Sequence, residues 1–161
     1  MSQDTLDQSN HARVEPATLQ DLPQLIQMAM DLFEMEGDFE PSHEKQQRGL
    51  KLILEEPSRG RIFVLRNDDL IVGMVNILFT ISTAEGGMVL ILEDFFIHPS
   101  HRGQGYGGQL LNAVQEFAQA KDFKRITLLT DKISEESQRF FMQNGFAFSK
   151  MIPMRLHLDC H

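Results

Sequence analysis

The chain reads as an α/β domain built on a mixed, mostly antiparallel sheet of six to seven strands flanked by about four helices. Three observations predict it. Apolar residues recur at helical spacing from Leu22 to Phe33. The period then changes to three apolar, β-branched runs joined by short turns, from Arg61 to Ile97. Helical spacing returns after a glycine-rich loop and alternates once more with a strand. A meander followed by strand–helix–strand gives a sheet of both senses.

Arg13–Ala17 (RVEPA) is the first short strand. Thr18 or Asp21 then caps a helix with Pro23 in its first turn, and Leu22, Leu25, Ile26, Ala29, Leu32 and Phe33 form its apolar stripe through about Met35. Met28, Met30 and Met35 read as core filling. The stretch GDFEPS (Gly37–Ser42) breaks the pattern, and a second helix from His43 carries Leu50, Ile53 and Leu54 on one face, stopping before Pro57. Arg61–Leu65, Leu70–Ile81 and Met88–Ile97 are the meander strands, with turns at Asn67–Asp69 and Glu85–Gly87. A helix over Gly105–Ala120 places Leu110, Leu111, Val114, Phe117 and Ala118 together; a strand (Arg125–Thr130) and a helix (Ser134–Gln143) follow. Phe146–Leu158 supplies one or two last strands, broken near Pro153.

Length and composition narrow the function. A chain of 161 residues suits one domain, here 12–161, with the polar stretch Met1–His11 read as a disordered tail. Apolar content of 42% and charged content of 24% are those of a soluble globular protein. The single cysteine, Cys160, forbids an internal disulfide; no long apolar span or signal-like leader is seen, so a cytoplasmic protein is expected. A formal charge of −8 argues against nucleic acid and anionic membranes and favours cationic partners such as amines.

The chemistry concentrates in Ile97–Gly108 (IHPSHRGQGYGG), between a strand and a helix. Helix N-termini carry unpaired N–H groups and partial positive charge, and glycine lets backbone approach a phosphate closely. Gly103, Gly105 and Gly108 spell the dinucleotide G-x-G-x-x-G, with Asp131 downstream where a ribose ligand would be expected. Against an NAD site stand the five residues His98–Arg102 before the first glycine, the antiparallel meander ahead of it, and the short remainder of the chain. His98 and His101 have no ligand-like spacing, and no metal is expected.

At these residues the sequence resembles the GNAT N-acetyltransferases, whose Q/R-x-x-G-x-G/A hallmark is met by Arg102, Gly105 and Gly107. The run from Ser137 to Phe146 (S-x-x-x-F-F-x-x-x-G-F) matches their C-terminal helix, and Leu92–Phe96 (LEDFF) is similar to spermidine/spermine acetyltransferases. The resemblance implies acetyl-CoA as cofactor, its pyrophosphate on the amides of Arg102, Gly103, Gln104, Gly105, Tyr106, Gly107 and Gly108, and its thioester between splayed strands ending near Ile97 and Thr130. Phe96 and Ile97 would line the thioester, and Ser134, Ser137 and Phe141 the pantetheine arm. A homodimer is common in such proteins.

Acetyl transfer to an amine needs a neutral nitrogen, although an alkyl ammonium has a pKa near about 10. Glu93, within the apolar run VLILEDFFI, is the candidate base, directly or through water. Asp94 is expected on the opposite strand face by alternation and, with Glu34 and Glu36 of the acidic stretch Asp31–Glu40, is a candidate for acceptor binding. The backbone amide of Phe96 or Ile97 is the candidate oxyanion donor. Two departures stand out: relatives carry a general-acid tyrosine where this chain has Phe141, and often asparagine where it has Ser134. The expected function is direct acetyl transfer to a primary amine (polyamine, amino acid or peptide) in a ternary complex. The alternative is a catalytically idle CoA-binding or regulatory domain.

Overall fold

In the computed structural model, residues 12–37, 39–130 and 134–158 are described. Met1–His11, Asp38, Asp131 and Cys160 lie outside the described residues. The chain divides into two compact units between Leu129 and Thr130. Among the described residues no helix is long and apolar enough to cross a membrane.

The first unit contains β1 (Ala12–Pro16), α1 (Leu22–Glu36), α2 (His43–Glu55), β2 (Gly60–Asn67), β3 (Leu70–Ser82), β4 (Gly87–Ile97), α3 (Tyr106–Ala120) and β5 (Ile126–Leu128). The sheet runs in sequence order, β1 to β5. Pairings are antiparallel up to β4, and β5 lies parallel to β4. A 3₁₀ turn at Leu19–Asp21 leads into α1; Asp21 accepts from the Thr18 N–H at 2.9 Å, and Pro23 takes a first-turn place that needs no N–H. Gly37, at φ 73°, ends α1 in the left-handed region and donates to Phe33 O.

Strand alternation sorts two cores. Ile62 and Val64 of β2, Met74 of β3 and Phe96 of β4 join Leu25, Ile26, Met28, Ala29 and Leu32 of α1 and Leu50 of α2 in one buried cluster. The intervening Phe63 meets Phe117 of α3 edge-on at 5.3 Å, and Phe79 stacks on the same ring at 6.0 Å. Helices α1 and α2 therefore cover one sheet face and α3 the other. Leu110, Leu111, Val114 and Ala118 of α3 are buried. Met28 is core as expected, whereas Met35 is exposed beyond the end of the stripe.

The second unit holds α4 (Glu135–Gln143), capped by Ser134, whose Oγ accepts from the Ser137 N–H at 3.3 Å. Phe141 packs between Phe140 (5.1 Å) and Phe146 (5.6 Å). The six to seven strands expected are corrected here to five among the described residues, because Phe146–Leu158 forms none. Its alternating apolar residues Ile152, Met154, Leu156 and Leu158 fit a strand pattern but are at least 80% exposed, with no ladder to bury them. Pro153 also removes a ladder donor.

Candidate active site

The site begins where β4 leaves its second neighbour. β5 pairs with β4 only at Leu90, Ile91 and Leu92, so from Glu93 to Ile97 β4 has a strand on its β3 side alone among the described residues. In that open stretch the β3–β4 register slips: Met74 faces Phe96, but Asn76 faces Glu93. Asp94 and Phe95 therefore stand opposite Val75 as a β-bulge, with Asp94 at φ 53°. Aspartate is among the few residue types that enter the left-handed region readily.

The bulge corrects the expectation that Glu93 and Asp94 occupy opposite faces. Glu93 shares the face of its register partner Asn76, and Asp94 reaches the same residue, accepting a 2.6 Å hydrogen bond from Asn76 Nδ2. An inserted residue cancels one step of the alternation. The two environments differ: Glu93 is exposed, while Asp94 is half-buried. Burial is the main cause that pushes the Asp94 carboxyl up to about 6. The charge of Glu93 raises it next, the Asn76 bond pulls it down, and Glu36 at the end of α1 raises it further. Glu93 on β4 and Glu36 on α1 thus both act on Asp94. Glu34, also on α1, is exposed.

Asn76 was not singled out in the sequence, although it is the only strongly polar side chain within the run LIVGMVNILF. It is 3% exposed, and its Oδ1 is buried without a hydrogen-bond partner.

Strand β4 also orients its amides. His98 N–H donates to Val72 O at 2.9 Å, and antiparallel ladders alternate bonded and non-bonded pairs. The Phe96 amide therefore points into the β3–β4 ladder, and that of Ile97 points to the open side. The Ile97 carbonyl confirms this direction, since it accepts from Arg102 Nε at 3.1 Å. Of the two amides singled out as oxyanion donors, Ile97's is the one left to face a ligand.

After β4 comes a 3₁₀ turn, Pro99–His101, capped by His98, whose Nδ1 accepts from the Ser100 N–H at 3.2 Å. The His98 Nε2 lies 4.0 Å from Asp31 of α1. Arg102, Gly103, Gln104 and Gly105 follow as an exposed loop running into the N-terminus of the 15-residue α3. Gly103 and Gly105 both sit at φ 77°, and nothing lies within 4 Å of where a Cβ on Gly103, Gly105 or Gly108 would stand. Uncrowded backbone thus leads into a helix N-terminus, an arrangement that fits a pyrophosphate. Tyr106 is 4% exposed and is buried at the start of α3.

Residues 22–146, which span bulge, loop and α4, match the model of the acetyltransferase (GNAT) family. The chain belongs to that family. This acetyltransferase is 28% identical over 85 residues to the uncharacterized N-acetyltransferase YhfO of Bacillus subtilis (strain 168), a match covering 53% of this chain and 57% of that protein. An aminoglycoside acetyltransferase, meta-AAC0020, from an uncultured soil metagenomic sample, solved in complex with trehalose, superposes with a TM-score of 0.76 at 22% identity, covering 94% of this chain and 99% of that one. A predicted acetyltransferase with acetyl-CoA from Clostridium acetobutylicum superposes with a TM-score of 0.73 at 17% identity, covering 92% and 96%. The chain spans just over half the length of the curated relative it matches, and the family is one of acetyltransferases. The two superpositions speak for its fold.

Proposed function

We propose that this acetyltransferase moves acetyl from acetyl-CoA to a primary amine by direct attack within a ternary complex. The observation that carries the reading is the β4 bulge, which gathers Glu93 and Asp94 on one face, near Glu36, beside the start of an open glycine loop. A carboxylate cluster attracts an ammonium, and a proton acceptor at the same place can neutralise the attacking nitrogen. The LEDFF resemblance makes a polyamine the first acceptor to try, and the aminoglycoside acetyltransferase of the same fold makes a small polyamino compound the second.

When bound, acetyl-CoA supplies the acetyl thioester. Arg102, Gly103, Gln104, Gly105, Tyr106, Gly107 and Gly108 would hold its pyrophosphate through backbone N–H groups and the dipole of α3. Phe96 and Ile97 would flank the thioester, the Ile97 amide donating to its carbonyl oxygen. Glu93 takes the proton of the incoming ammonium, directly or through water. Asp94, Glu34 and Glu36 hold the acceptor's positive charge. For Ser134, Ser137 and Phe141 as contacts of the pantetheine arm, the support is the sequence resemblance alone.

The test is thiol release from acetyl-CoA across polyamines, aminoglycosides, amino acids and lysine peptides. Turnover with one class, reduced about 100-fold or more in Glu93→Gln, supports the reading. A second reading, CoA binding without turnover, draws on Phe141, which brings an aromatic ring and no hydroxyl to the place of the usual tyrosine. CoA binding with silence across the panel would favour it. Failure to bind CoA would overturn both.

A further inference from the structure

The Asn76–Asp94 pair has a feature that amine acetylation in general does not require. A half-buried carboxyl beside a buried amide is ordinarily locked: the amide donates to the carboxylate with one end and is anchored at the other by a fixed partner. Here the far end has no anchor. Asn76 Nδ2 donates to Asp94 Oδ2 at 2.6 Å, while Asn76 Oδ1 is buried with nothing bonded to it. Turning the amide about its last torsion would break no bond at that end. It would present Oδ1, an acceptor, to Asp94 in place of Nδ2, a donor.

We propose that Asn76 is a positioning residue that serves Asp94 in both protonation states, its Nδ2 donating to the carboxylate and its Oδ1, after the amide turns, accepting from the carboxylic acid O–H. Each state leaves one end of the amide unpaired, so neither is strongly preferred and the proton decides. An anchored asparagine would hold Asp94 as a carboxylate only.

The consequence bears on the site's chemistry, and this step rests on the proposed amine acetylation. Asp94 stands at the bulge with Glu93 beside it on β4 and Glu36 on α1, the charged groups that act on it. Glu93 takes the proton of an ammonium drawn to these carboxylates and can pass it on to Asp94, leaving a neutral amine, the Glu93 carboxylate and an Asp94 carboxylic acid, in sum RNH₃⁺ + COO⁻ giving RNH₂ + COOH. Asn76 turns to accept the new O–H, so the proton is held in place without moving the β4 backbone. A carboxyl whose burial and neighbours bring it up to about 6 is better matched to this exchange near neutral pH than an ordinary one.

The test uses the whole protein without substrate, so it does not depend on turnover. With ¹³C-labelled aspartate carboxyls and ¹⁵N-labelled asparagine, the Asp94 and Asn76 side-chain signals are followed from pH 4 to 8. Asn76 amide signals that move with the same midpoint as Asp94 are expected. Flat Asn76 signals through that midpoint would overturn the proposal. In Asn76→Leu, confirmed folded by circular dichroism, both protonation states of Asp94 lose a bond, so its midpoint is expected to stay within about one pH unit of wild type. A rise of about two units or more would show that Asn76 serves the carboxylate alone and would also overturn the proposal. If both signatures appear while no amine in the panel is acetylated, the pair stands and the assigned reaction falls.

Discussion

Arg102 Nε donates a 3.1 Å hydrogen bond to the carbonyl oxygen of Ile97, and the Arg102 guanidinium carbon stands 5.9 Å from the centroid of the Phe96 ring. The first residue of the glycine loop is thereby tied back to the last residues of β4. That tie couples two things the proposed reaction needs in fixed register: the loop amides for a pyrophosphate and the Ile97 amide for a thioester carbonyl.

Breaking the tie should loosen cofactor binding more than chemistry. A side-chain hydrogen bond contributes about 0.5–1.5 kcal/mol net, and a partly exposed cation–π contact about 0.5–1 kcal/mol. Arg102→Ala is therefore expected to raise KM for acetyl-CoA roughly tenfold, with a smaller loss of kcat. Steady-state kinetics at saturating amine, paired with calorimetric CoA titration, would check it. An unchanged KM would mean the loop holds its shape without Arg102.

Gly105 offers a test of the loop that involves no side-chain contact. It caps α3 at φ 77° with open space around a would-be Cβ, so Gly105→Ala suffers from conformation alone. Forcing alanine into the left-handed region costs about 1–2 kcal/mol. A fall in Tm of roughly 2–8 °C follows for a chain of this size. Gly73→Ala should be worse, since its Cβ would meet Ile97 Cδ1 at 2.5 Å and Phe96 O at 3.2 Å on the strand that carries the site. Thermal melts of the two variants side by side decide whether strain or collision dominates.

Much of this was legible in the sequence, for identifiable reasons. Strong apolar periodicity marked α1, the meander and α3, and Gly105 marked where α3 begins. The loop's glycines announced open backbone because little else requires so many in a strand-to-helix turn. What was not legible depends on a partner strand. Nothing local in LEDFF announces that Asp94 is an inserted residue; the slip exists only in the register between Met74 and Asn76. Alternation was therefore applied one residue too far, and Asp94 was sent to the wrong face. The lone asparagine in LIVGMVNILF was the available warning, since a buried amide demands something polar opposite it. The last strands failed for the converse reason: Ile152, Met154, Leu156 and Leu158 have the period of a strand, but a strand also needs an edge to pair with.

Glu36 tests the nature of the acceptor. It is exposed at the end of α1 and reaches Asp94 through its charge. If the acceptor carries a second ammonium, Glu36 is the group placed to meet it while Glu93 and Asp94 engage the reacting one. Glu36→Gln should raise KM for spermidine about two- to fivefold, the range of a solvent-exposed ion pair, and leave KM for butylamine unchanged. Equal effects on the two amines would show that Glu36 acts only on the bulge.

The last prediction concerns what the bulge costs the fold. Burial and the neighbouring carboxylates push the Asp94 carboxyl of the folded chain up from an ordinary 3.8 to about 6. Between those values the folded state binds more protons than the unfolded one, so stability falls as pH rises from 3.8 through 6. Above 6 the full penalty is present, on the order of 2–3 kcal/mol. Asp94→Asn removes the charge, keeps a partner for Asn76 and retains a residue type that tolerates the left-handed region. The variant should therefore melt several degrees above wild type at pH 8 and at about the same temperature as wild type near pH 4. It should also slow acetyl transfer if Asp94 takes the amine proton on from Glu93. A stability gain of equal size at both pH values would mean that shape, rather than charge, strains the bulge, and the case for Asp94 as a proton acceptor would lose its physical basis.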